Sequence, residues 1–255
     1  MDIITLYSWT ELKDWSDQRN RQNRYVFRGQ GDSTWPLRTS LARHFIANKI
    51  KSDEWRKREL KMYRMFRERL LSLCPGMYDN WNPIDILSLM QHHGTPTRLL
   101  DFTYSPLVAS YFALRDARGN SAIWVIDTNH LTAIQKFKGF ESYSGPTHMD
   151  DYKIAKKHPG AVILSPSSPH LRLAAQHGCF LVPGRILSEV DSDFIDSQVV
   201  LSEDLVLDSI TKLRGLGIDD EFLFPNLDKI AQETNRFSVT GSADFPNNRT
   251  NAGKL

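Results

Sequence analysis

The densest chemistry in the chain lies between Gln91 and Ala113, which reads QHHGTPTRLLDFTYSPLVASYFA. It holds the adjacent histidines His92 and His93, the pair Arg98 and Asp101, and the hydroxyls of Thr103 and Ser105. An arginine presents a planar fork that grips phosphate bidentately, and a helix N-terminus offers N–H groups to an anion. A histidine titrates near pH ~6.5 and so suits a base at physiological pH. The plainer reading makes Arg98 and Asp101 a structural ion pair and the histidines helix-end residues, since ion-pair networks imitate sites.

The elements that must position these groups are marked by start and stop signals. Asn82 is placed to cap a helix over IDILSLMQHH with Pro83 in its first turn, and Gly94 ends it in a left-handed conformation. Thr95-Pro96-Thr97 is a loop, because Pro96 fixes its own φ and pushes Thr95 out of the helical region. Arg98 to Phe102 predicts a strand. Ser105-Pro106 opens a second helix with Leu107, Val108, Tyr111 and Phe112 as its apolar stripe. Two helix ends and a strand end should therefore meet around His93, Arg98, Asp101, Thr103 and Ser105.

Upstream, Thr10 is the expected cap of a first helix running to about Arg21. Tyr25 to Gly29 has the β-branched and aromatic content of a strand, closed by Gly29 and Gly31. Arg28 stands at its end, beside a glycine that admits a second backbone or a ligand. Ser40 is the expected cap of a helix burying Leu41 and Phe45. Asp53 to Leu73 predicts the longest helix, with Trp55, Met62, Tyr63, Phe66, Leu70 and Leu73 buried. Its basic residues, relieved by Glu54, Glu59 and Glu68, read as a solvated face with room for a nucleic-acid footprint.

Downstream, Ser121 to Asp127 is a near-continuous apolar run that suits a strand buried on both faces. Thr128 to Phe137 predicts a short helix, Lys138 to Lys157 a long polar loop, and Ala161 to Leu164 a strand. Leu171 to Val182 reads as two strands around Gly178, with Gln176 and His177 at the bend. Beyond Leu201 come a small helix, an apolar FLF run before Pro225 and a further helix. The small polar residues from about Thr240 predict disorder, so 241–255 is expected to be a tail.

Composition narrows the class. The 255 residues, 40% hydrophobic and 24% charged, are those of a soluble globular protein. A net charge of +2 does not by itself imply a polyanionic partner. No run approaches the ~18 apolar residues of a membrane span, and the N-terminus does not read as a secretory signal. Cys74 and Cys179 fit neither a disulfide framework nor metal-ligand spacing, so no metal is expected and a reducing cytoplasm is. P-loop, dinucleotide-binding glycine, HExxH and CxxC motifs are missing, and nothing presents a nucleophilic serine on an elbow.

Several of these stretches together carry a resemblance. Phe27-Arg28-Gly29-Gln30, the Gln91–Ala113 run, AIWVID, Ala175 to Phe180 and LFPNLD look like the FRG domain, which takes its name from the Phe-Arg-Gly triplet. The likeness spans about residues 25 to 230, with Phe102 where the family motif carries tryptophan. It implies one FRG-type domain over 1–240. Residues 25–37 would hold the first strand and the triplet, 38–95 a helical insert, 96–200 the core and 201–240 a C-terminal helical cap.

A weaker resemblance, to ADP-ribosyltransferases, implies a mechanism. Phe27-Arg28-Gly29 is similar to their first strand, and Phe102 to Ser105 followed by Val108, Ala109 and Phe112 to their Ser/Thr motif and helix. Gln176 stands where their catalytic glutamate belongs. The resemblance implies an α+β fold with an ADP-ribosyltransferase-like split β-sheet core, two small and mostly antiparallel sheets around a cleft, plus the helical insert. It implies NAD as substrate, held by Arg28, Gly29, Gln30, Arg98, Thr103 and Ser105. Catalysis would fall to Arg28, Thr103 and Gln176, with Asp101 as substitute carboxylate and His93 or His177 as base. The expected activity is transfer of ADP-ribose to a macromolecule, RNA or DNA foremost, by a toxin or phage-defence effector with an inhibitory antitoxin partner. The alternatives are an NAD glycohydrolase and a non-catalytic nucleotide- or nucleic-acid-binding module with Arg28 and Arg98 as phosphate clamps.

Overall fold

Seven strands form one mixed sheet in the order β1-β7-β4-β2-β3-β6-β5. They are β1 (Asp2–Leu6), β2 (Tyr25–Gln30), β3 (Leu100–Thr103), β4 (Ser121–Asp127), β5 (Ala161–Leu164), β6 (Gly178–Pro183) and β7 (Ser197–Leu201). β1 runs parallel to β7 and every other neighbouring pair is antiparallel. The computed structural model describes residues 1–137, 160–167, 171–186 and 189–225. The expected loop over Lys138–Lys157, the helix after Pro225, the end of LFPNLD and the expected disordered tail lie outside the described residues.

The architecture is α+β, and two separate sheets are not formed. The strands divide instead into two groups joined at one point: β2 and β3 share a single register pair, Phe27 with Thr103. On its other edge β2 pairs with β4 along its full length, from Tyr25–Asp127 to Gln30–Ala122. β3 pairs fully with β6, from Leu100–Leu181 to Thr103–Gly178. Past Phe27 the two groups diverge, and the gap is the feature on which the rest turns.

Helices cover the sheet: α1 (Trp9–Asn20), α2 (Ser40–Ala47), α3 (Trp55–Leu73), α4 (Pro83–His92), α5 (Pro106–Arg115) and α6 (Thr128–Phe137). Strand periodicity sorts neighbouring residues into different clusters. Phe27, Ile123, Val125, Val199 and Leu201 pack with Leu12 and Trp15 of α1 and with Val108, Ala109 and Tyr111 of α5. Val26, Trp124, Phe102, Cys179 and Leu181 pack in a second cluster with Leu37 and Phe194. Phe180 and Val182 meet Tyr63 of α3 and Ile86, Leu87 and Met90 of α4 in a third. All seven residues of β4 are buried, as the apolar run implied.

Local signals mostly act where expected. Asn82 and Asp85 form a capping box at the start of α4, and Gly94 after its end has φ +81°. Ser105 caps α5 with Pro106 at its first turn. Five expectations need correction. Ser8, not Thr10, caps α1, its hydroxyl accepting the Glu11 N–H. Thr39, not Ser40, caps α2, because the Ser40 hydroxyl is engaged with the Thr97 backbone. Leu171 to Val182 is a helix, Leu171–Ala175, then a turn and β6, not two strands. Leu73, expected in the core, is 80% exposed, whereas Glu59, expected on the surface, is buried.

Candidate functional site

The gap between β2 and β3 opens into a cleft of about 660 Å³. Phe27 to Gly31 of β2 and its exit line one wall, and Asp101 to Thr103 of β3 another. Trp35, Arg38 and Arg43 come from the segment after β2, Phe112 and Asp116 from α5 and its end, and Arg172 and Gln176 from the Leu171–Ala175 helix and its turn. Six of the sequence-derived residues therefore meet here: Arg28, Gly29, Gln30, Asp101, Thr103 and Gln176.

Arg28 bridges the two groups of strands. Its Nη1 donates to the Asp101 backbone carbonyl at 2.8 Å and lies 3.6 Å from the Asp101 carboxylate, while its buried Nε has no hydrogen-bond partner. A guanidinium thus stands where a β2–β3 ladder would have continued. Burial pulls the Arg28 pKa below its ordinary value, Asp101 offsets part of this, and Arg43 adds to it. Arg43 is lowered in the same way, by burial first, with Asp101 opposing and Arg38 adding. The cleft wall gathers Arg28, Arg38 and Arg43 around Asp101, with Asp116 also in the lining.

Gly29 lines the cleft and has a packing role as well. A Cβ there would stand 2.0 Å from the Ala109 carbonyl oxygen and 2.5 Å from the Ala113 nitrogen, so its bareness lets the α5 backbone lie against β2. Gln30 is buried, and its side-chain carbonyl accepts from the Trp124 indole N–H. Asp101, the more exposed member of its pair at 60%, also accepts from Gln91 Nε2 at 2.6 Å.

Thr103 and Gln176 are joined to each other and to the scaffold. The Thr103 hydroxyl donates to the Gln176 backbone carbonyl at 2.7 Å and accepts the Ser105 N–H at 3.0 Å. Gln176 Nε2 donates to the Leu223 carbonyl at 3.0 Å. His177 follows at φ +46°, turning the chain into β6, where a Cβ on Gly178 would meet the Leu173 side chain at 2.3 Å. This turn sets Gln176 on the cleft wall.

Three expected residues stand elsewhere. Arg98 is 1% exposed and bidentate to Glu59 of α3, with further bonds from Nη1 to the Pro183 and Gly184 carbonyls. It ties α3 to the end of β6, and Asp101 pairs with Arg28 where the sequence suggested a pair with Arg98. Ser105 is occupied as the cap of α5. His93 ends α4 with its ring edge-on to His92, exposed and away from the cleft lining. Burial, then His93 and Arg172, lower the His92 pKa.

The structure adds Trp35, Arg38, Arg43, Phe112, Asp116 and Arg172 to the cleft. Trp35 had a visible signal, a tryptophan between a polar turn and a proline. Arg172 had none, because Leu171–Ala175 read as strand. Its guanidinium lies over the Phe224 ring, which Arg115 also faces. Among the described residues no cluster of His, Cys, Asp and Glu could hold a metal ion. Cys179 is buried, and burial above all pushes its thiol up to about 12, which disfavours the thiolate.

No curated protein and no solved structure matches the chain. The likeness to ADP-ribosyltransferases therefore rests on the residues alone. The family model of the FRG domain matches residues 23–122, a stretch that runs from β2 into β4 and carries Arg28, Trp35, Arg43, Asp101 and Thr103 of the cleft.

Proposed function

We propose that the cleft binds NAD and that the protein transfers its ADP-ribose to a macromolecular acceptor, with RNA or DNA foremost. The observation that carries this reading is the set of arginines, Arg28, Arg38, Arg43 and Arg172, gathered with aromatic walls and two carboxylates, Asp101 and Asp116, in a single cleft. Even with Arg38 paired to Glu189 at 3.0 Å, the four arginines outnumber these acids, and guanidinium forks bind a pyrophosphate bidentately. The cavity is within the ~300–1,000 Å³ range of small-molecule sites.

In the reaction the bond between the ribose C1′ and the nicotinamide nitrogen breaks. Its electron pair leaves with nicotinamide, which departs neutral, and the ribose takes on oxocarbenium character. A carboxylate beside that carbon stabilises the developing charge. Asp101 is the candidate for this role, since Gln176 is neutral and its amide nitrogen is bound to Leu223. The acceptor oxygen or nitrogen then attacks C1′ and gives up its proton. Acting on a cell's own nucleic acid, such an enzyme works as a toxin or phage-defence effector and needs an inhibitory partner.

A second reading is favoured by the bonding of Thr103 and Gln176. Both side chains make scaffold hydrogen bonds, as they would in a module that holds a nucleotide or a nucleic acid without breaking a bond.

Incubating the pure protein with labelled NAD and separate RNA, DNA and protein fractions tests the choice. Label transfer to one fraction, with nicotinamide release cut roughly 100-fold or more by Asp101→Asn, is expected for the transferase. Nicotinamide release without transfer means a glycohydrolase. Salt-steep binding of nucleic acid with no NAD consumed means the module.

A further inference from the structure

We infer that Trp35 is a stacking platform for the nucleobase of the ligand whose phosphates meet the cleft arginines. The inference rests on the proposed use of the cleft for a nucleotide, and names the part of it that would give the nucleotide preference over bare phosphate.

Trp35 is 56% exposed, while its neighbour in the cleft wall, Phe27, is 1% exposed. Four large aromatic side chains are exposed among the described residues, Tyr7, Trp35, Tyr104 and Phe222, and of these Trp35 lines the cleft. A single exposed ring on an open surface needs no explanation, but one lining a concave site offers a ligand a flat apolar face to stack on.

The segment presenting Trp35 is built to hold it still. The Asp32 carboxylate accepts from the Thr34 N–H at 2.8 Å and from the Thr34 hydroxyl at 2.6 Å, while the Trp35 N–H donates to the Asp32 carbonyl at 3.3 Å. Ser33 is tied to the sheet on both sides: its N–H donates to the Asn120 carbonyl at 2.9 Å and its carbonyl accepts Gln198 Nε2 at 2.8 Å. Pro36 then stiffens the exit. With the backbone fixed before binding, only the two side-chain torsions of Trp35 remain to be ordered when a base stacks on its ring.

The chemistry beside the ring matches a nucleotide rather than an apolar ligand. Arg38 and Arg43, from the same segment, share the cleft lining with Trp35, and Arg43 Nη1 donates to the Arg38 carbonyl at 2.8 Å. A flat π-surface next to guanidinium groups suits a base joined to its phosphate. The base can come from a free nucleotide or from one unit of a single strand.

Titration calorimetry of the full chain with ADP, inorganic pyrophosphate and a short single-stranded oligonucleotide tests this, comparing wild type, Trp35→Ala and Trp35→Phe. Trp35→Ala is expected to weaken ADP binding roughly 5- to 100-fold and pyrophosphate by less than about 2-fold. Trp35→Phe should keep most of the wild-type affinity. A larger Trp35 effect on the oligonucleotide than on ADP would assign the platform to a polymer, and the reverse to a free nucleotide. Equal loss for ADP and pyrophosphate, no loss for either, or no nucleotide bound by wild type overturns the platform. Trp35-dependent ADP binding with NAD left intact keeps the platform and removes the transferase. NAD turnover with an unchanged KM in Trp35→Ala does the opposite.

Discussion

Arg98 with Glu59 and Arg28 with Asp101 are the same chemistry in two settings. The first pair is sealed, with side chains 2% and 4% exposed and the guanidinium matched to a carboxylate and two backbone carbonyls. In the second pair the side chains are 16% and 60% exposed, at 3.6 Å, in a cleft with three further arginines. Residue type does not separate a sealed arginine from one that faces a cleft. Saturation of its donors and the space in front of it do. A bound anion could compete for Arg28 without opening the core, whereas one reaching Arg98 would have to displace Glu59 and expose an uncompensated charge.

The contrast is broken most directly by removing one acid. Glu59→Ala leaves Arg98 buried without its carboxylate and should cost about 3–5 kcal/mol of folding stability, read from urea denaturation. Arg28→Ala should instead change stability by about 1 kcal/mol or less and lower ADP affinity roughly 10- to 100-fold. Similar stability losses for the two variants would erase the distinction drawn here.

Smaller effects sharpen the account of how the open pair is held open. Gly29→Ala sets a methyl against the Ala109 carbonyl and the Ala113 nitrogen, and should cost about 1–3 kcal/mol or more by pushing α5 from β2. If it lowers ligand affinity with stability intact, Gly29 belongs to the site and not to the packing. Thr103→Val leaves the Gln176 carbonyl and the Ser105 N–H without their shared hydroxyl and should cost about 1–2 kcal/mol. A kcat loss far beyond that cost, at unchanged KM for NAD, would make Thr103 part of the chemistry. Ser105→Ala, removing only the α5 cap, should cost about 1 kcal/mol and leave ligand affinity unchanged.

Local rules explain why α4, α5 and β4 were legible in advance. Each is set within a few residues, by Asn82-Pro83 and Gly94, by Ser105-Pro106, or by a buried β-rich run. Where expectation failed, a distant partner decided. Ser40 yields the cap of α2 to Thr39 because Thr97 takes its hydroxyl, and Glu59 is drawn inside by Arg98. Leu171–Ala175 is helical although LRLAAQHGCFLV has strand-like content, and the chain reverses at His177 with Leu173 packed against a bare Gly178. β1 and β7 went unread because a five-residue strand at or near the sheet edge carries little periodic signal.

The residue order by itself determined the α+β character, the ends of the main helices, and the short roll of polar groups from which a site could be made. Side-chain type and near-neighbour spacing suffice for these, because propensity, capping and alternation act over a few residues. Which of those groups share a cleft was decided by tertiary structure alone. The single β2–β3 register pair opens the gap, the bare Cα of Gly29 draws α5 beneath it, and Glu59 withdraws Arg98 while Arg28, Arg43, Asp101 and Trp35 remain facing one space. Those outcomes depend on contacts between residues far apart in the chain, whose pairing no local pattern encodes.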